Sequence, residues 1–203
     1  MFSIIEAAGW PIWTIIAASI ISLAIILERL FSLRTRLIVP PGLLLQTLDE
    51  YRSKGTTRGA LRKLEEHSAL GRLFAAGLRN ADGSREVMKD AIEDEGRVVA
   101  AQLEQFLTTL GSIASIAPLL GLLGTLVGMI ELFGAQTPEG NNPDVLAHGI
   151  SVALYNTAMG LAVAIPSMIF YRYFRARVDN LLLDMESQAV KLVEVLHGER
   201  QQG

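Results

Sequence analysis

The residues of this chain able to handle ions are few and lie in apolar surroundings: Thr125, Ser151, Asn156 and Thr157, with Glu131 at the end of the same stretch as Thr125. Hydroxyls and an amide in an apolar helix hold and orient water, and a carboxylate exchanges a proton or cation. Two alternatives stand for the threonines: a shared polar path, or hydroxyls that bond their own helix's carbonyls and ease packing. Glu131 either lines an outer mouth or reaches water as an interfacial carboxylate.

No Asp, Glu, Lys, Arg or His lies near the middle of an apolar stretch, so a partner must supply any group that titrates there. Enzymatic chemistry is not expected: no nucleophile–base pair, phosphate loop or metal cluster appears. His67, His148 and His197 are far apart, and the chain has no cysteine. No catalytic residue, metal, cofactor or nucleic-acid partner is therefore expected. The acidic run Glu93-Asp94-Glu95 reads as a solvated helix face, because consecutive residues point in different directions.

The element that positions Thr125 is the uncharged stretch Leu107–Ile130, about 24 residues and long enough to cross a bilayer. Gly111, Ala114, Pro118, Gly121, Thr125 and Gly128 alternate by threes and fours on one face, with Leu119, Leu122, Leu123, Leu126 and Ile130 opposite. Small residues on one side serve close helix packing or line a space. Gly124 belongs to the same set of small residues. A second such helix carries Gly149, Ala153, Thr157, Gly160, Ala164 and Ser167, with Asn156 beside them. Thr125 and Thr157 fall about 12 Å and about 14 Å from the outer ends of their helices, at similar depth. Pro118 and Pro166 each remove a backbone bond and kink the spans.

A third apolar run, residues 7–27, carries Trp10, Pro11 and Trp13 at its start and Glu28-Arg29 at its end. It has no basic region before it and reads as a retained anchor rather than a cleaved signal. All 18 Lys and Arg residues lie between the first and second spans or after the third. The positive-inside rule then places the amino terminus outside and the carboxyl terminus in the cytoplasm. With 203 residues and a mean hydropathy of +0.35, the chain is expected to be an all-α membrane protein with a sizeable polar portion. Its three transmembrane helices comprise a second and third that extend into the cytoplasm, beside a helical cytoplasmic domain.

The expected order is a periplasmic amino terminus and first span (1–33), cytoplasmic helices (34–106), second span (107–133), periplasmic loop (134–147), third span (148–172) and cytoplasmic tail (173–203). Within 34–106, Pro40-Pro41-Gly42 breaks the chain. LLLQTLDEYRSK then ends at Gly55, Thr56 or Thr57 caps the next helix, and Asp82-Gly83-Ser84 forms a turn and cap before a long fourth helix. No strong breaker follows that helix, which predicts one continuous helix into the second span.

APLLGLLGTLVGM at Ala117–Met129 and GISVALYNTAMGLAVAIP at Gly149–Pro166 resemble the MotA/TolQ/ExbB proton channel family, nearest its ExbB/TolQ branch. The order of anchor, large cytoplasmic segment and long helical hairpin is similar too. The resemblance implies an oligomer, a pentamer in that family, around the span of an ExbD/TolR-like partner. That partner carries the membrane aspartate, and a TonB/TolA-like protein is driven at the cell inner membrane. The family's motif threonines fall on Thr125 and Thr157. Its usual glutamate, in I-x-E-A-L, is Val152 here. Water held by Ser151, Tyr155 or Asn156, or a substitute role for Glu131, is then required, or the chain is of a divergent branch. TonB-dependent transport, a TolQ-like role in envelope integrity, another stator and a passive scaffold all remain open.

Overall fold

A computed structural model describes residues 10–134 and 143–198. Expectations for the first nine residues and for the loop over 135–142 lie outside them. Eight helices and no strand occur among the described residues. They are α1 Pro11–Ser32, α2 Thr35–Ile38, α3 Leu43–Lys54, α4 Arg58–His67, α5 Ala69–Arg79, α6 Arg85–Leu103, α7 Leu107–Gly134 and α8 Pro143–Leu196. Three stretches are long and apolar enough to cross a membrane: α1, the part of the chain containing α7, and α8.

The chain divides into two compact units. One holds the described parts of Met1–Arg29 and Phe106–Tyr173. The other holds Leu30–Gln105 with the described part of Phe174–Gly203.

In the apolar unit, α1 buries Ile12, Ile15, Ser22, Ile25, Ile26 and Arg29, a helical stripe. The buried face of α7 is Leu107, Leu110, Ala114, Ala117, Gly121 and Gly124. Leu119, Leu122, Leu126 and Ile130 stay exposed, on the side opposite the small residues. Pro118 and Pro166 lie inside α7 and α8. Each lacks the N–H that would reach the carbonyl four residues back, at Ala114 and Ala162.

The polar unit is built from short capped helices. Thr57 Oγ1 accepts from Ala60 N–H (3.3 Å), Ser68 Oγ from Gly71 N–H (3.0 Å) and Ser84 Oγ from Val87 N–H (3.3 Å). Each satisfies one amide that a helix start leaves without a partner. Ser68 ends α4 and starts α5, both with extended backbone. α5 buries Leu70, Leu73, Phe74 and Leu78, and α6 buries Met88, Ile92 and Val99. The last part of α8 adds Phe174, Val178, Leu181, Met185, Ala189 and Leu192. A Cβ on Gly77 would stand 2.8 Å from Ile92 Cδ1, so α5 and α6 meet closely there.

Glu93, Asp94 and Glu95 diverge as their sequence order dictates. Arg97 takes Glu93 (2.9 Å) and Asp94 (3.3 Å), while Glu95 pairs with Arg72 (2.6 Å).

Three features depart from the sequence expectations. The fourth polar helix does not run on into the second span. α6 stops at Leu103, Glu104 caps it, and Phe106 takes φ 64°, a left-handed conformation that no α-helix contains. α8 already begins at Pro143, inside the segment expected as loop, with proline in a first-turn position where its missing N–H costs nothing. The short helix α2, between the first span and Pro40, has no counterpart in the sequence reading.

Candidate ion path

α7 and α8 run antiparallel at very short range, and glycines make this possible. A Cβ on Gly121 would lie 2.8 Å from the Asn156 carbonyl oxygen and 2.9 Å from Thr157 Cα. One on Gly160 would lie 2.6 Å from the Ala117 carbonyl oxygen and 3.0 Å from Gly121 Cα. Backbone therefore touches backbone at Gly121 and Gly160, the close approach that small residues allow in membrane helices. The register continues toward Gly134, with Gly124 facing Asn156, Gly128 facing Ala153, and Gly149 against the Leu132 side chain. Toward the other end Gly111 faces the Tyr171 ring.

This register sets Thr125, Asn156 and Thr157 at one level, within about one helical turn. Asn156 is the buried member, 1% exposed, with its side chain in the space left by Gly124. Thr125 and Thr157 are half-buried at the margins of the contact. The amide read from sequence as lying beside the stripe thus sits at its centre, and the threonines flank it. Ala153 and Ala164 are buried along the same face of α8.

Several hydroxyl protons are already committed. Thr125 Oγ1 donates to the Leu122 carbonyl (2.6 Å) and Ser151 Oγ to the Ala147 carbonyl (2.9 Å). Each hydroxyl oxygen keeps acceptor capacity, which leaves these groups able to accept a hydrogen bond from water. Ser151 and Glu131 are exposed. Glu131 lies six positions from Thr125, about 9 Å along the helix, so the two form separate levels. Val152 is half-buried and one turn from Asn156 on the same face.

Two polar relationships were not anticipated. Ser22 Oγ of α1 and Ser167 Oγ of α8 are 2.6 Å apart and buried. Ser167 also donates to the Val163 carbonyl (2.7 Å), so Ser22 is the donor between the helices. At the end of the first span, Arg29 is buried, pairs with Glu28 (2.6 Å) and lies over the Phe106 ring. The signal for Ser22 was its place in the stripe Ile12, Ile15, Ser22, Ile26 and Arg29. Nothing local marks Phe106.

Three apolar helices, two of them joined through glycine at backbone contact, define a multi-pass all-α membrane protein. Residues 65–187 match the MotA/TolQ/ExbB proton channel family. The biopolymer transport protein exbB1 of Vibrio cholerae is 32% identical over 188 residues, covering 89% of this chain and 82% of that protein. An ExbB homolog of Methanothermobacter thermautotrophicus is 30% identical over 176 residues, 86% of this chain, which spans 63% of that protein's length. The Tol-Pal system protein TolQ of Pseudomonas aeruginosa is 34% identical over 117 residues, 57% of this chain and 49% of that protein. The chain belongs to the MotA/TolQ/ExbB proton channel family, on its ExbB/TolQ branch.

Proposed function

We propose that this protein is the ExbB/TolQ-like wall subunit of a proton-driven motor in the inner membrane, with its amino terminus periplasmic and its carboxyl terminus cytoplasmic. It works as a homo-oligomer around an ExbD/TolR-like single-span partner and couples proton-motive force to a TonB/TolA-like protein in biopolymer transport. The observation that carries the reading is the polar level Thr125, Asn156 and Thr157, set between two spans with no Asp, Glu, Lys, Arg or His from Leu107 to Ile130 or from Gly149 to Tyr171. Such a wall orients water but has no group that exchanges a proton near neutral pH. The titrating group is the partner's membrane aspartate, and Glu131 with Ser151 forms the outer approach.

The test is proton flux in liposomes holding this protein and its partner, with Thr125 and Thr157 both changed to valine. The shape is nearly kept and both hydroxyls are lost. Flux falls severalfold if the hydroxyls order the path. Unchanged flux points to the second reading, a passive scaffold, which the bond from Thr125 to its own helix favours. The TolQ relative keeps an envelope-integrity motor as a further alternative; the neighbouring genes separate that from TonB-dependent uptake.

A further inference from the structure

The segment Phe31–Leu37 combines large exposed apolar side chains with exposed arginines that have no acid beside them. Phe31 is the penultimate residue of α1, the helix that forms the first span, and is 60% exposed. Leu37 in α2 is also 60% exposed. Arg34 and Arg36 are exposed, and among the described residues no carboxylate lies within 4.0 Å of either. Arg62, Arg72, Arg79, Arg97 and Arg175 of the same unit, by contrast, hold ion pairs.

The segment is anchored from behind. Leu33, Ile38 and Val39 are buried, and Arg177 Nη2 donates to Thr35 Oγ1 at 2.6 Å. The Arg34 guanidinium lies 5.0 Å from the Phe31 ring centroid, which holds a cation beside an apolar group. Water alone leaves Phe31 and Leu37 badly placed, and acyl chains alone strand the arginines. The headgroup boundary accommodates both, because apolar groups enter the acyl region while guanidiniums meet phosphate.

We propose that Phe31–Leu37 is a binding surface for an anionic phospholipid at the carboxyl-terminal end of the first span, with Arg34 and Arg36 holding its phosphate. This is independent of the ion path and stands whichever process the protein drives. Continuity with the span and the two uncompensated charges favour a lipid over a second copy of the chain.

The test uses full-length protein in nanodiscs of phosphatidylcholine with a minor share of phosphatidylglycerol, partly delipidated and weighed by native mass spectrometry. Wild type is expected to retain phosphatidylglycerol preferentially. The double variant R34Q/R36Q is expected to retain roughly tenfold less. The R58Q variant, which changes an exposed arginine elsewhere, is expected to match wild type. Equal retention by wild type and R34Q/R36Q overturns the proposal. So does a changed oligomeric state of R34Q/R36Q with lipid retention intact, which assigns the surface to a second copy.

Discussion

The guanidinium of Arg29 lies 5.3 Å from the ring centroid of Phe106, and Phe106 is the one described residue other than glycine with a positive φ, 64°. A buried cation at the end of the first span therefore faces the residue that breaks the chain between α6 and α7. The left-handed conformation costs an L-residue about 1–2 kcal/mol, and a cation–π contact returns about 0.5–2 kcal/mol.

Phe106→Gly removes the conformational cost together with the ring, whereas Phe106→Ala removes only the ring. The glycine variant is expected to be more stable than the alanine variant by about 1 kcal/mol. Thermal unfolding of the two in one detergent reads the difference; alanine equal to or above glycine contradicts the assigned strain.

A Cβ on Gly128 would stand 3.4 Å from Ala153 Cβ, close to disulfide geometry. The chain has no native cysteine, so Gly128→Cys with Ala153→Cys is expected to cross-link within one chain under mild oxidant. Peptide mapping of the oxidised protein checks this. Cross-links only between chains contradict the α7–α8 register.

A methyl on Gly124 would meet Asn156 Cβ and Cγ at 2.7 Å each. Gly124→Ala is expected to destabilise the hairpin by about 1–3 kcal/mol. Moving the space to the other helix, as G124A/N156G, is expected to regain much of that loss without restoring the amide. Cross-linking at positions 128 and 153 reports packing, and flux with the partner reports the amide. Recovery of both makes Asn156 a packing residue only.

Glu86, at the start of α6, has its carboxyl held below the usual carboxylate range by backbone hydrogen bonding and then by the Ser84 hydroxyl. Because its folded pKa is depressed, its contribution to stability is present above the unfolded value and fades as pH falls through the folded one. Ser84→Ala is expected to move the Glu86 midpoint upward in a carbon-13 NMR titration. An unmoved midpoint removes Ser84 from the account.

Spans and two of the caps were legible because their signals are local: uninterrupted apolar length, and Thr57 and Ser84 before helical patterns. The stripes were legible as faces, but not which edge of each face would be buried. That is set by glycine meeting backbone, which rotates the contact toward Ala117, Gly121 and Gly124 and brings Asn156 to its centre. The break at Phe106 was illegible, since no glycine or proline marks it and the cation beside its ring comes from Arg29, remote in sequence. The Ser22–Ser167 bond was hidden likewise, each serine reading as ordinary until its partner is known.

The central claim is that this wall conducts protons only through a carboxylate that it does not own. Proton flux into liposomes tests it in three arms: this protein alone, with an ExbD-like protein, and with that protein's membrane aspartate changed to asparagine. The expected result is flux in the second arm alone. Equal flux in all three arms contradicts the claim and returns the titrating role to Glu131.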